Sequence, residues 1–252
     1  MSERDDLNRF FDEAKGLERL CVLLFYLNFG ISIITFFLNQ NFNSILIFQI
    51  IVIFTYIVAD LVSDQKFIDA NLKRKTNAIE NAFSVDITGL ETKDYYNNSI
   101  PFTKPVDKYI VNIFESVFFT NEILSKMKKK YILRLFVFTC LIIISFEKVT
   151  DEFLLINVFQ FIFIGRTLPS CLRYFLYKSD VNELYDKFYE NLITNGISQF
   201  SQKITLLNYC IHYEAIKINY KININSKIYN KYNPQLSNTW KEICKKIIIN
   251  SK

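Results

Sequence analysis

LCVLLFYLNFGISIITFFLNQNFNSILIFQIIVIFTYIVA, residues 20–59, runs forty positions without Asp, Glu, Lys, Arg or His. One helical crossing of a bilayer core takes about 20 apolar residues, so forty is about two crossings. A polar break falls where a hairpin needs its turn, at Asn39-Gln40-Asn41-Phe42-Asn43-Ser44. The first span is read as Leu20–Leu38 and the second as Ile45–Val62. A cleavable signal peptide fits poorly, because the start is acidic (Glu3, Asp5, Asp6) and no small-residue cleavage site follows the first run.

A second apolar pair lies at Tyr131–Phe146 and Phe153–Leu176, joined by Glu147-Lys148-Val149-Thr150-Asp151-Glu152. Its uncharged stretches are shorter, but Arg134 and Arg166 stand at the ends facing away from that loop. There they can snorkel to one interface and lengthen each crossing. A re-entrant pair stays open beside the spanning one. Basic residues then set the orientation: 4 Lys+Arg lie in 1–19, 11 in 60–130 and 11 in 177–252, against none and one in the two short loops. Positive charge stays on the cytoplasmic side, so both termini and the middle segment face the cell interior.

Composition removes much of the enzyme menu. Only one His is present among 252 residues, which excludes any site needing two imidazoles from one chain. With 5 Gly there is neither a GxGxxG nor a GxxxxGK[ST] loop to cradle phosphates. The five cysteines (Cys21, Cys140, Cys171, Cys210, Cys244) have no CxxC spacing and read as reduced apolar residues. No metal or catalytic group is expected, and His212 reads as a packed or surface histidine. Asp60, Asp64 and Asp69 are the nearest thing to an acidic cluster, but helical phase splays them.

The expected fold is therefore an all-α membrane protein of two transmembrane helical hairpins, four spans in all, with N and C termini cytoplasmic. Its segments are an N-terminal amphipathic helix (1–19), the first hairpin (20–62), a cytoplasmic helical insert (63–130), the second hairpin (131–176) and a cytoplasmic C-terminal helical region (177–252). Leu7, Phe10, Phe11, Ala14 and Leu17 fall at helical spacing, with Ser2 or Asp5 as cap. Beyond the second span the helix should run through Phe67, Leu72, Ile79 and Phe83, with Gly89 as a left-handed stop. Pro105 opens a helix whose apolar face is Val106, Tyr109, Ile110, Ile113, Phe114, Val117, Leu124 and Met127, ending at the lysines before Tyr131. Val181, Leu184, Tyr185, Phe188 and Leu192 mark another helix ending near Gly196, and a further one covers Phe200–Lys217. Residues 216–224 alternate as a short strand or linker would. Pro234 should interrupt, with Ser237 capping a last helix through Trp240, Ile243, Cys244 and Ile247.

This layout resembles the SMODS-associated four-transmembrane pore-forming effectors of bacterial anti-phage (CBASS-type, cyclic-oligonucleotide) defence. The stretch Asn77-Ala78-Ile79-Glu80-Asn81-Ala82-Phe83-Ser84-Val85-Asp86-Ile87-Thr88-Gly89-Leu90 looks like the helix-to-Gly-Leu passage after that family's first hairpin. The tail from Gln202 through Asn225-Ser226-Lys227-Ile228-Tyr229 is similar to its C-terminal helix, polar turn and aromatic-containing helix. Glu91-Thr92 stands where many relatives carry Pro-Trp. The resemblance implies a non-enzymatic effector of the bacterial inner membrane. It would be switched by a cyclic oligonucleotide from a partner nucleotidyltransferase, and would act as a homo-oligomer that disrupts the bilayer and aborts infection.

Polar residues inside membrane helices face other helices or water. Asn28, Ser32 and Thr35 form one stripe on the first span; Gln49 and Thr55 lie on the second, Asn157 and Gln160 on the fourth. Hydrogen bonds within a four-helix bundle would explain them, and so would the lining of a pore built from several subunits. Two basic runs can meet a nucleotide or lipid phosphate: Lys73, Arg74 and Lys75, and Lys126, Lys128, Lys129 and Lys130. Interfacial lysines of ordinary topology explain the second run equally, and a solvated helix face the first. A cyclic nucleotide would be held between insert and tail, by lysines near aromatics such as Tyr95, Tyr96 or Tyr109; no nucleic acid polymer is expected. A transporter would instead place charges at mid-membrane depth, and the arginines here lie near helix ends. A reporter fused at Tyr95 should be active only in a form that folds in the cytoplasm; activity of an exported reporter there would overturn the topology.

Overall fold

A computed structural model of the protein describes residues 6–38, 43–90, 104–148, 167–194, 196–197 and 199–250. These residues form α1 (Asp6–Leu38), α2 (Asn43–Phe83), α3 (Pro105–Lys148), α4 (Thr167–Thr194), α5 (Phe200–Tyr220) and α6 (Ser226–Asn250), with no strand among them. The all-helical expectation holds. Absence of Gly and Pro from the interiors of α2 and α3 lets them run 41 and 44 residues, about 60 Å or more each at 1.5 Å per residue.

Contacts divide the chain into two compact units. The first gathers Met1–Arg9, Ile68–Lys128 and Tyr174–Lys252; the second gathers Phe10–Phe67 and Lys129–Arg173. In the second unit, Cys21 and Leu24 of α1 meet Val52 and Ala59 of α2 in a core flanked by Ile31 and Tyr56. Close approach of this kind is how helices pack where lipid, not water, surrounds them. Ser63 donates its hydroxyl to the Ala14 carbonyl at 3.3 Å, Phe11 meets Phe67 edge-on at 6.4 Å, and Lys66 pairs with Glu13 at 2.9 Å. The exposed ion pair contributes at most about 1 kcal/mol.

Much of the apolar surface of α2 faces outward, with Phe54 67% exposed and Ile50 65%. From Ile47 to Phe83 this helix is long and apolar enough to cross a membrane, and only 17% of its most apolar window is buried. Leu23 and Tyr26 of α1 and Leu133 and Phe136 of α3 are exposed in the same way. Exposed apolar side chains of this kind are ordinary against lipid.

The first unit is a bundle with an aromatic centre. Trp240 of α6 is fully buried; it meets Phe114 edge-on at 5.4 Å and stacks on Phe118 at 5.7 Å. Phe114 also stacks on Phe188 of α4 at 5.4 Å. The helical spacing read in α3 corresponds to burial of Ile110, Ile113, Phe114, Val117, Leu124 and Met127. Tyrosine hydroxyls tie the helices across: Tyr174 to the Leu124 carbonyl at 2.5 Å, Tyr213 to the Ser116 carbonyl at 3.1 Å, and Tyr220 to Asp180 at 2.7 Å.

Four local expectations are corrected. First, α3 does not end at its lysines but continues to Lys148, because lysine is a good helix former and nothing there breaks the backbone. Second, α2 stops at Ser84, which takes φ 55, while Gly89 (φ 63) turns the chain later. The Val85 N–H reaches back to the Glu80 carbonyl at 3.2 Å, the long bond of a Schellman closure. Third, residues 216–220 belong to α5 and 221–225 are irregular, with Lys221 left-handed at φ 51. In that stretch Ile216 is buried on the helix and Ile222 in the irregular segment after it. Fourth, Pro234 lies inside α6, which begins earlier, with Asn225 Oδ1 accepting the Ile228 N–H at 3.1 Å. A proline in a helix costs about 3 kcal/mol; burial of Leu236, Trp240, Ile243, Cys244 and Ile247 on one face offsets it.

Glu80 organises the loop after α2. Its carboxylate accepts the N–H groups of Ile87 (2.6 Å) and Thr88, the Thr88 hydroxyl (3.0 Å) and the Asn77 amide (3.4 Å). Burial pushes the carboxyl up, but these donors together hold it below the ordinary 4.5. A depressed carboxyl stabilises the fold fully above its unfolded value, and that contribution is lost as pH falls through the folded one. Thermal unfolding of the detergent-solubilised chain should therefore drop as pH falls below about 4.5. Glu80→Gln should already be destabilised by about 1–2 kcal/mol at neutral pH and show a flatter acid limb; an unchanged limb would remove Glu80 from this role.

Candidate functional site

Between α3, α4 and α6, within the first unit, lies a cavity of about 210 Å³ lined by Phe118, Glu122, Lys126, Tyr185, Tyr232, Gln235, Leu236, Thr239 and Ile243. Helical spacing sets its polar wall, since Phe118, Glu122 and Lys126 stand at i, i+4 and i+8 on one face of α3. Behind it, Phe118 stacks on the buried Trp240, which fixes the apolar floor. Lys126 is exposed and rests its ammonium 5.2 Å from the centre of the Tyr232 ring, with Lys231 on the same ring at 5.5 Å. Burial pushes the Tyr185 hydroxyl up, and neighbouring Tyr189, Glu122 and Asp186 add to it. That phenol therefore stays protonated as a donor. Thr239 gives its hydroxyl to the Gln235 carbonyl at 3.3 Å. The cavity thus offers aromatic surface, one cation, one carboxylate and one amide.

A larger open cleft of about 430 Å³ lies along Asn77, Glu80, Asn81, Ser84, Val85, Asp86, Leu90 and Lys108. Its groups are engaged with one another. Glu80 holds the loop, Lys108 donates to the Asn81 carbonyl at 2.6 Å, and Asn112 donates to the Asn81 side chain at 3.0 Å. Its polar atoms serve the fold, and the smaller cavity is the stronger binding candidate.

The basic run after the second apolar stretch divides. Lys73 and Lys75 are half-buried, whereas Arg74 is buried and donates to Glu214 Oε2 at 2.5 Å. This corrects the solvated-face reading for Arg74, and its guanidinium is committed to an ion pair inside the bundle. Around the pair stand Tyr213, 6.0 Å from the guanidinium, and Lys217, 5.7 Å from that same ring. Burial pushes the Lys217 ammonium well below its ordinary value; Arg74 lowers it further and Glu214 opposes both. Burial likewise raises the hydroxyls of Tyr109 and Tyr177. Tyr177 Oη and Glu214 Oε1 are buried polar atoms with no hydrogen-bond partner among the described residues.

Lys128, Lys129 and Lys130 are exposed on α3. Among the described residues Lys126 alone of that run meets an aromatic ring, and the ring is Tyr232, where aromatics such as Tyr95, Tyr96 or Tyr109 were expected. Tyr95 and Tyr96 lie outside the described residues, as do Asn157 and Gln160. Asn28 and Gln49 are half-buried on α1 and α2. Thr55 is exposed and returns its hydroxyl to the Ile51 carbonyl at 2.8 Å, so it needs no partner helix. Ser32 and Thr35 belong to α1, but their side chains lie outside the described ones.

Sequence reasoning missed Glu122, Tyr185, Tyr232 and Gln235 as neighbours of Lys126, and Glu214 as the partner of Arg74. The spacing of Glu122 and Lys126 was available; pairing across 106 and 140 positions was not. Among the described residues no group of three or more His, Cys, Asp or Glu gathers as a metal site would need. No family model matches the chain, and no curated protein or solved structure is significantly similar to it.

Removing one partner of a buried ion pair leaves the other charge stranded, which costs about 3–5 kcal/mol. Glu214→Ala should destabilise the detergent-solubilised protein by that order. The double change Arg74→Met with Glu214→Leu should recover most of the loss in chemical unfolding. A single substitution costing under about 1 kcal/mol would show that the pair is not desolvated.

Proposed function

We propose that this chain is a membrane effector of bacterial anti-phage immunity, multi-pass in the inner membrane. A cyclic nucleotide made by a partner nucleotidyltransferase would switch it into an oligomeric, membrane-opening state. The observation that carries the reading is α2: one unbroken helix of 41 residues whose outward face is apolar from Ile47 to Val62 but for Thr55 and which continues into the bundle that holds the Lys126 cavity. The layout of two apolar hairpins around a basic helical insert supports four spans with both termini inside. Its likeness to the four-transmembrane effectors supports the defence role.

The mechanism follows from two requirements. A ligand shifts a closed-to-open equilibrium only as far as it binds the open state better, so the trigger must change how the bundle packs. Helices that share residues between bundle and apolar unit can carry such a change as a rotation or a small axial shift. Four spans from one chain enclose little lumen. Conduction therefore needs several subunits, with Asn28, Ser32, Thr35, Gln49, Thr55, Asn157 and Gln160 supplying polar surface. Cations such as Lys126 would meet the phosphates, and the aromatic walls would stack the bases.

Purified protein in dye-loaded liposomes should release dye on addition of one member of a panel of cyclic di- and trinucleotides. The triple change Asn28→Leu, Ser32→Leu, Thr35→Leu should abolish release while leaving insertion unchanged. Leakage that survives the triple change removes the stripe from the pore. Absence of leakage with every nucleotide, from protein shown to be inserted, overturns the function.

A further inference from the structure

The cavity beside Lys126 has a property the proposed function does not by itself require: its carboxylate is free. Glu122 is half-buried in the wall, and among the described residues it forms no hydrogen bond and no ion pair, not even with Lys126 one turn along the same helix. The Gln235 side-chain amide and the Tyr185 and Tyr232 hydroxyls have no hydrogen-bond partner there either. Several other carboxylates of this bundle do meet a donor: Glu80, Glu214 through Oε2, Asp107 and Asp180. An unmatched acceptor set into an aromatic wall is the arrangement of a recognition pocket, in which a few placed polar groups orient a flat apolar ligand.

Size and chemistry narrow the ligand. At about 210 Å³ the cavity is smaller than the pockets that enclose whole drug-sized molecules, and suits a single ring system. The half-buried rings of Tyr185 and Tyr232 supply surface for stacking, over a floor formed by the buried Phe118. An ionised carboxylate is an acceptor only, and is best satisfied by two parallel N–H donors. Among the nucleobases, guanine alone presents two adjacent donors, N1–H and the N2 amino group, on its pairing edge. Adenine and cytosine set a ring acceptor beside their single amino group, so a carboxylate meets one donor and one repulsive lone pair. Uracil has one donor flanked by two carbonyls. Lys126 is held only by a cation–π contact at an exposed position, worth about 0.5–1 kcal/mol, and can leave Tyr232 for a phosphate at little cost.

We infer that this cavity is a guanine-reading slot: one guanine of a cyclic nucleotide stacks against Tyr185 and Tyr232, Glu122 accepts its N1–H and N2–H, and Lys126 takes the adjoining phosphate. This rests on the cyclic-nucleotide reading above and adds to it the base that is recognised. The second base of a dinucleotide would lie outside the slot, so cyclic di-GMP and mixed guanine-containing rings both qualify.

The test uses the full chain in lipid nanodiscs, titrated calorimetrically with cyclic di-GMP and with cyclic di-AMP. Cyclic di-GMP should bind roughly ten- to a hundredfold more tightly, the discrimination expected of one bidentate contact. Glu122→Gln should reduce the preference to within about threefold. Lys126→Gln should weaken both ligands alike, because it touches phosphate and not base. Glu122→Asp, one methylene shorter, serves if the Gln variant does not fold and should keep guanine preference at reduced affinity. Equal affinity for both ligands, or a preference that survives Glu122→Gln, overturns the guanine assignment and leaves the nucleotide trigger standing. Binding of neither ligand also overturns it, and if the liposome panel is silent as well, the trigger falls with it.

Discussion

One helix, α2, carries two kinds of surface. Its backbone is internally hydrogen-bonded along all 41 residues, so that backbone tolerates hydrocarbon and protein interior equally. The side chains are what change. From Ile47 to Val62 the outward positions are Ile, Phe, Val and Leu apart from Thr55, and water would penalise them. From Ala70 onward the packed positions are small or polar: Ala70, Asn71, Arg74, Asn77, Ala78 and Ala82 are all buried.

The bundle end of that helix is held by directional forces more than by bulk. Arg74 and Glu214 are both almost fully shielded from water, so each stabilises the other only while both are present. Lys217 nearby adds a second positive charge that the interior disfavours, which is why its ammonium is pushed down. Tyrosine hydroxyls fix helix register across α3, α4 and α5, and the Phe114–Phe118–Trp240 stack supplies the apolar centre. Buried polar contacts of this kind favour one arrangement over its neighbours, and two discrete packings are what a ligand-driven switch needs.

The Lys126 cavity sits among these same helices but is built on the opposite logic. Its cation rests on a ring, its carboxylate and amide have no partner among the described residues, and its floor is aromatic surface. A bound nucleotide would therefore add contacts to α3 and α6 together without first breaking any strong native bond. α3 is continuous from Pro105 to Lys148, so it runs from these cavity residues through Lys128–Lys130 into exposed apolar positions such as Leu133 and Phe136.

Much of the helical framework was legible in the order of the residues. A forty-residue uncharged run, periodic apolar faces in α3 and α4, and a scarcity of Gly and Pro require long helices whatever else the chain does. Local stops were read less well. Ser84 adopts the left-handed turn that Gly89 was expected to provide, and Pro234 is carried inside α6, because burial across the bundle outweighs backbone preference at single positions. The partners of Arg74 and Lys126 were not legible at all. Each lies more than a hundred residues away, and a charge on a helix face looks the same in sequence whether it meets water, lipid phosphate, Glu214 or Tyr232. Periodicity is a property of neighbours along the chain and is written there; which cation is buried, and which carboxylate is left free, follows only from which faces the tertiary packing brings together.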